Sequence, residues 1–324
     1  MPRVLLTNAI HPDAHARLAR SADVVVAPDA SADTLRDAAR GCTVVVVRAQ
    51  LPDDIFDAAP TLIGAVRHGA GVDMIPIEAA TARGVLVANV PGVNANAVAE
   101  HVLRSMLSLA RQTEQLSAVL RERGWAAARA AAETGVELRG RTLGVVGYGH
   151  VGQAVARLAH LGLGMRVLAH SRLPLREAGH ATAAPLEELM AQSDVVVLAC
   201  PLTPQTRGLV SAAQLARMRR GSWLINVARG PVVDEAALLD ALQRGHLAGA
   251  ALDVFDTQPL PDDHPFWQMP QVLITAHSAG ITHDSMLAMG MGAVEAVEHL
   301  LRGECPPTCI NRQALQAFSA RIQP

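Results

Sequence analysis

The sequence predicts an α/β protein built from two Rossmann-like, doubly wound parallel sheets. Three observations carry this. Short runs rich in valine, isoleucine and leucine alternate with helical patterns along most of the chain; strands alternating with helices make βα units and a parallel sheet. The 324 residues suffice for two domains. And one glycine-rich turn, L-G-V-V-G-Y-G-H-V-G at 143–152, joins a buried strand to the apolar-periodic helix expected at 151–161.

In the first block, strands are expected at 3–7, 23–27, 43–47, 62–66 and 85–88, with helical patterns between them, as at 12–19 and 32–39. At Pro91-Gly92 the chain turns. From Asn96 to about Glu122 the pattern is helical and mostly apolar, long enough to cross between domains. Residues 123–140 are rich in alanine and glycine, with Trp125 as their single large apolar anchor, and read as an exposed excursion or dimer arm. The second block offers strands at 142–147, 165–169, 194–199, 222–227, 249–254 and 272–275. Its helices include 211–218 and 234–244, the latter with Asp234 as N-cap. A last long helix, 282–302, is expected to return the chain to the first domain.

Composition excludes several functions. Net charge is −2, which argues against nucleic acid or an anionic membrane as main partner. No signal-like start is present, and no apolar run approaches the ~18 residues of a membrane span; a soluble, cytoplasmic protein is expected. The four cysteines, Cys42, Cys200, Cys305 and Cys309, imply no disulfide framework, and Cys305-x-x-x-Cys309 lacks the second pair that a zinc site needs. The chain has no lysine: all 28 basic residues are arginine. Schiff-base chemistry and ordinary P-loop phosphoryl transfer are thereby removed.

Gly147, Gly149 and Gly152 form G-x-G-x-x-G. The first glycine permits a tight turn, the second lets a pyrophosphate approach the backbone, and the third lets helix pack on strand; the phosphate sits on the helix N-terminus, here at His150 and Val151. A tight βα turn without a ligand is the ordinary alternative. The residue that distinguishes NAD from NADP belongs at the end of the next strand. Ser171 stands there, 19 residues after Gly152, followed by Arg172. A hydroxyl and a guanidinium suit a 2′-phosphate, so NADP(H) is the expected cofactor, with NAD(H) as the alternative if Arg172 is only a solvated surface residue.

Three strand ends carry polar residues: N-V-A-R-G at 226–230, D-V-F-D-T-Q-P at 253–259 and T-A-H-S-A-G at 275–280. Ligands of open α/β sheets bind at such ends. His277 can exchange a proton near neutral pH and Arg229 can clamp a carboxylate, a set suited to hydride transfer to a 2-keto acid. Taken singly, His277, Arg229 and Gln258 are equally a structural histidine, a surface arginine and a turn residue; their joint placement beside a dinucleotide turn raises them.

At this point the chain resembles the D-isomer-specific 2-hydroxyacid dehydrogenases over nearly its whole length. The pieces are V-V-G-Y-G-H-V-G-Q-A-V-A, C-P-L-T-P-Q-T-R-G-L-V, L-I-N-V-A-R-G-P-V-V-D-E-A-A-L, G-A-A-L-D-V-F, H-P-F-W-Q-M-P-Q-V-L-I-T-A-H-S-A-G, G-A-G-V-D at 69–73 and A-V-A-E-H at 97–101. The resemblance implies a discontinuous, flavodoxin-like substrate domain (1–97 and 287–324), a dinucleotide-binding domain (98–286), and a cleft that closes on a small 2-keto or 2-hydroxy acid. It implies that Arg229 binds substrate carboxylate and keto oxygen, that His277 donates the proton in reduction, and that the Ala70 and Gly71 amides hold the carboxylate. It places Asp253 near the nicotinamide and adds Cys200, Pro201, Thr206, Val227, Ala228, His277 and Gly280 to the cofactor contacts. The Ser171-Arg172 pair resembles NADP-preferring glyoxylate and hydroxypyruvate reductases, and a homodimer through the second domain and residues 115–140 is expected.

Two departures stand out. Gln258 occupies the position where the family usually has a glutamate bonded to the histidine; an amide orients the ring without supplying charge. Formate dehydrogenases of the superfamily also carry glutamine there, which leaves formate oxidation open. Dinucleotide-sensing corepressors of this fold leave a binding module open as well, and turnover without a partner separates that reading from an enzyme. Ala276 replaces a usual proline, for which only a small loop change is expected.

Overall fold

The computed structural model describes residues 1–172, 174–175 and 179–322. The chain divides into two compact units: Met1–Asn94 with Thr282–Pro324, and Ala95–Ile281. The sequence placed these boundaries at 97/98 and 286/287. The division between the compact units lies a few residues before these, where helices begin, at Ala95 of the helix Ala95–Arg111 and at Thr282, whose side chain caps the helix His283–Leu301.

The first unit holds strands β1 (Arg3–Leu6), β2 (Asp23–Val26), β3 (Val44–Val47), β4 (Gly64–Arg67) and β5 (Leu86–Ala88). All pair in parallel in the order β2-β1-β3-β4-β5, the flavodoxin-like order. β3 is four valines, all fully buried, as a strand covered on both faces requires. One face is covered by Leu18 and by Val294, Val297 and Leu300 of the long C-terminal helix. The other is covered by Leu35, Ile55 and Phe56.

The second unit holds β6 (Thr142–Val146), β7 (Arg166–His170), β8 (Thr182–Ala183), β9 (Val195–Leu198), β10 (Trp223–Asn226), β11 (Gly249–Leu252) and β12 (Val272–Ile274). Their order is β12-β11-β10-β9-β6-β7-β8, all parallel. The order in which strands are added reverses at β6 and β9, the crevice where doubly wound sheets bind dinucleotides. Helices Ala95–Arg111 and His150–Leu163 cover one face, and Leu186–Gln192, Ala212–Arg217 and Glu235–Gln243 the other. Asp234 caps the last of these, its carboxylate accepting the Ala237 N–H at 3.0 Å.

Three sequence expectations are corrected. A seventh strand, β8, joins the edge beside β7; at two residues it is too short to show an alternating pattern. The helix expected from Asn96 to Glu122 breaks at Gln112, which takes a left-handed φ of 51°. The break is held by polar side chains: Thr113 donates to Ser108 at 3.1 Å, Ser108 to Glu114 at 3.0 Å, and Arg104 pairs with Glu114 at 2.7 Å. The chain then runs on as the helix Thr113–Ala131, which is kinked at Gly124 (φ 79°) and buries no residue. Trp125 is 74% exposed, so it does not anchor the segment within this chain.

Candidate active site

The glycine turn explains itself position by position. Gly147 takes φ 97°, and a Cβ there would stand 2.5 Å from the Cys200 nitrogen. A Cβ on Gly152 would stand 2.1 Å from the Gly147 carbonyl oxygen. Both glycines are demanded by the protein's own packing. Gly149 is different: a Cβ there would meet nothing within 4 Å. It is also the N-cap of the helix His150–Leu163 and supplies no capping side chain. A helix N-terminus with open N–H groups and unobstructed backbone in front of it is built for an anion.

In front of this turn lies a cavity of about 570 Å³, within the range of small-molecule and cofactor sites. It is walled by the ends of β6, β7 and β9, at Val146, His170 and Ala199. Of the residues expected to hold a cofactor, Gly147, Gly149, Ser171, Arg172, Cys200, Pro201 and Thr206 line it. Thr206 also closes its own turn, donating to the Pro201 carbonyl at 2.6 Å. Burial holds the Cys200 thiol above its ordinary pKa, against the opposing charge of Arg172, so it is an apolar wall rather than a nucleophile. His150, Val151 and Gly152 sit on the helix behind the turn. Val227, Ala228, Asp253 and Gly280 stand on other strand ends and do not line this cavity. Tyr148, Gln153, His170, Pro174, Leu175, Gln205 and Leu209 also line it, and reading the sequence missed them.

A second cluster forms at the ends of β10, β11 and β12. Asn226 is buried and shapes the turn that presents Arg229: its side-chain oxygen accepts the Ala228 N–H at 3.0 Å and its amide donates to the Arg229 carbonyl at 3.0 Å. The Arg229 guanidinium donates to the Ala228 carbonyl at 2.7 Å. A Cβ on Gly230 would stand 2.0 Å from the Phe255 carbonyl carbon, so only glycine lets the β10 turn meet the β11 turn.

Asp253 is buried and clamps the histidine loop. Its carboxylate accepts Thr275 Oγ1 at 2.6 Å, the Ser278 N–H at 2.8 Å and the Ala279 N–H at 3.0 Å. Its carbonyl accepts the His277 N–H at 2.9 Å. These bonds hold His277 at φ 51°, a conformation that costs a non-glycine residue strain energy. His101, on the helix Ala95–Arg111, is pushed below its ordinary pKa by burial, with Asp253 pulling it back up.

His277 Nδ1 lies 3.1 Å from the Gln258 side-chain oxygen, and the Gln258 amide nitrogen donates to the Phe255 carbonyl at 3.3 Å. That second bond assigns the amide orientation. Nδ1 must then carry the hydrogen in the neutral ring.

The loop after β4 belongs to the first unit. Its carbonyls are all engaged: Gly69 accepts the Val90 N–H at 2.9 Å, Ala70 the Asn89 amide at 2.7 Å and Gly71 the Arg67 guanidinium at 2.9 Å.

Cys305 and Cys309 are free thiols, and no cluster of three or more potential metal ligands is found among the described residues. No described helix is long and apolar enough to cross a membrane.

A sequence model of the D-isomer specific 2-hydroxyacid dehydrogenase NAD binding domain matches residues 103–279. The D-3-phosphoglycerate dehydrogenase of Mycobacterium bovis is 36% identical over 315 residues, covering 96% of this chain and 59% of that protein. The chain thus spans about three fifths of the length of the phosphoglycerate dehydrogenases it matches. The glyoxylate reductase of Thermofilum pendens is 33% identical over 325 residues, 97% of this chain and 96% of its own. Among solved structures, the NADPH-dependent glyoxylate/hydroxypyruvate reductase of Sinorhizobium meliloti, in complex with NADP and malonate, is 31% identical with a TM-score of 0.84, covering 97% and 98% of the two chains. The NAD-dependent formate dehydrogenase of Staphylococcus aureus is 28% identical with a TM-score of 0.82, covering 94% and 96%. With the glycine turn, the strand order and the polar strand ends, these similarities make the chain a member of the D-isomer-specific 2-hydroxyacid dehydrogenase family.

Proposed function

We propose that this protein is an NADP(H)-preferring reductase that converts small 2-keto acids such as glyoxylate or hydroxypyruvate to D-2-hydroxy acids, working as a homodimer in the cytoplasm. The observation that carries the reading is the His277–Gln258 pair on a loop clamped by Asp253, with Arg229 presented by the neighbouring turn. The dinucleotide fits the cavity at Gly147–Gly149: the open face of Gly149 and the uncapped helix take the pyrophosphate, and Ser171 and Arg172 take a 2′-phosphate. When bound, the reduced nicotinamide supplies the hydride.

The chain's own residues do the rest. Arg229 pairs with the substrate carboxylate, fixing which carbon faces the hydride. His277 delivers its Nε2 proton to the keto oxygen as negative charge develops there. Gln258 keeps Nδ1–H occupied, so a single ring nitrogen is available for transfer. Support for NADP comes from Ser171 and Arg172 in the cavity wall and from the NADP complex of the Sinorhizobium relative. Support for a dimer is the helix Thr113–Ala131, which buries nothing of its own and exposes Leu120 and Trp125.

A second reading, oxidation of formate, is favoured by Gln258 itself, because hydride removal from formate needs no proton from the histidine. The deciding experiment compares initial rates of glyoxylate and hydroxypyruvate reduction with NADPH and with NADH, beside formate and D-3-phosphoglycerate oxidation with NAD⁺. A 2-keto acid rate several-fold faster with NADPH is expected; a rate with formate alone would replace this reading with the second.

A further inference from the structure

The loop that carries Gln258 is fastened at both ends to one carboxylate. Glu235 is the first residue of its helix, directly after the N-cap Asp234. One of its oxygens accepts the Asp256 N–H at 3.3 Å, and the other lies 3.2 Å from His264 Nε2. His264 Nδ1 accepts the Phe266 N–H at 3.3 Å. In the neutral ring that leaves Nδ1 with the lone pair and Nε2 with the hydrogen. Both side chains are largely buried, at 17% and 24% exposed. The surrounding charges are Asp234, Asp256 and Arg207; burial and Glu235 raise the Asp256 carboxyl above its ordinary pKa, and Arg207 opposes them.

The fastening acts on the catalytic pair through a short path. The peptide pinned by Glu235 joins Phe255 to Asp256. The Phe255 carbonyl is the group that orients the Gln258 amide, and Gly230 packs against its other side. Gln258 in turn selects the His277 nitrogen that carries hydrogen.

We propose that Glu235, together with His264, is the positioning group of the proton-transfer pair. It fixes the Phe255 carbonyl, which fixes Gln258, which fixes His277. This rests on the reductase reading above. The test is a double-mutant cycle with Glu235→Ala and Gln258→Ala. Glu235→Ala alone is expected to lower kcat for 2-keto acid reduction at least about tenfold, with KM for NADPH unchanged. In the Gln258→Ala background the same change should lower kcat no further, because the path is already cut. An equal further loss there would overturn the proposal and make Glu235 an ordinary structural residue. Glu235→Gln keeps an acceptor for the Asp256 N–H and should recover part of the rate; no recovery counts against the proposal.

Ring-nitrogen NMR shifts of His277 supply a readout independent of turnover. The wild type should show hydrogen on Nδ1, and Glu235→Ala a mixture of tautomers. An unchanged tautomer would sink the positioning role even if the protein proved inactive on 2-keto acids. A wild type without reductase activity but with the tautomer shift would overturn the reductase reading alone. Should Glu235→Ala fail to fold, His264→Gln, which removes one of the two fastenings, runs the same cycle.

Discussion

At the scale of single residues, the reductase reading turns on the Gln258 amide beside His277 Nδ1. A negative charge beside Nδ1–H stabilises the imidazolium and raises its pKa; an amide does not. Gln258→Glu should therefore move the high-pH fall of kcat/KM for glyoxylate upward by about one unit. Reduction requires the protonated ring, so the shift must be upward, and a profile that stays in place or moves down rules out Gln258 as the cause. Arg172 supports a second, independent prediction. It lines the cavity, and removing a charged partner of a phosphate costs about 1.5–3 kcal/mol. Arg172→Ala should then raise KM for NADPH roughly ten- to a hundredfold and leave NADH kinetics nearly unchanged; equal effects on both cofactors would refute the phosphate contact. The places of such residues were legible because their patterns are local: glycines at fixed spacing, a serine-arginine pair after a strand, a histidine at a strand end. Asn226, Tyr148, Gln153 and Glu235 were not, because their roles depend on which turns the fold brings together.

At the scale of elements, the strands announced themselves because buried parallel strands are near-continuous apolar runs, β3 most of all. The break at Gln112 did not, since glutamine carries no left-handed preference and the conformation is imposed by the Ser108, Thr113 and Glu114 side chains. The segment after the long C-terminal helix is another case where packing outweighs pattern. Cys309 pairs with Ala88 in an isolated antiparallel bridge, and Asn311, fully buried, ties β5 down. It accepts the Val87 N–H at 2.7 Å and donates to Val85 and Thr81 at 2.9 Å each. Asn311→Ala should cost the first unit about 2–4 kcal/mol, as buried backbone groups lose their partners; denaturant unfolding with no change in midpoint would show the bonds to be dispensable. The neighbouring thiols should differ in reactivity. Burial, and then Cys305, push the Cys309 thiol up to about 11, while Cys305 is partly exposed. Iodoacetamide at pH 8 should label Cys305 well before Cys309, read by peptide mass spectrometry. The reverse order would contradict the packing of this strap on β5.

At the scale of the whole molecule, the chain crosses between its two units twice, at 94/95 and 281/282, and each unit has its own sheet and cores. Unfolding need not be a single transition for such a chain, so a titrating group should reveal itself in the unit that holds it. His68 is that group. It is 3% exposed, and its Nε2 has no partner. Burial, and then the Arg48 guanidinium, push its pKa down to about 4. Arg48 is itself held in place by the Ala9 carbonyl, so its charge does not swing away. In the unfolded chain the imidazole returns to about 6.5. Between these values the unfolded state binds the proton and the folded state does not, so stability is full above pH 6.5 and falls as pH drops toward 4. A gap of this size amounts to roughly 3 kcal/mol at most. Hydrogen exchange at pH 7 and pH 5 should show protection falling in β3, β4 and the helix His283–Leu301 while the strands of the second unit change less. His68→Leu should remove that selective loss. If the first unit keeps its protection at pH 5 in the wild type, the burial of His68 is not paid for in stability, and the histidine must find a partner for its proton inside the folded unit.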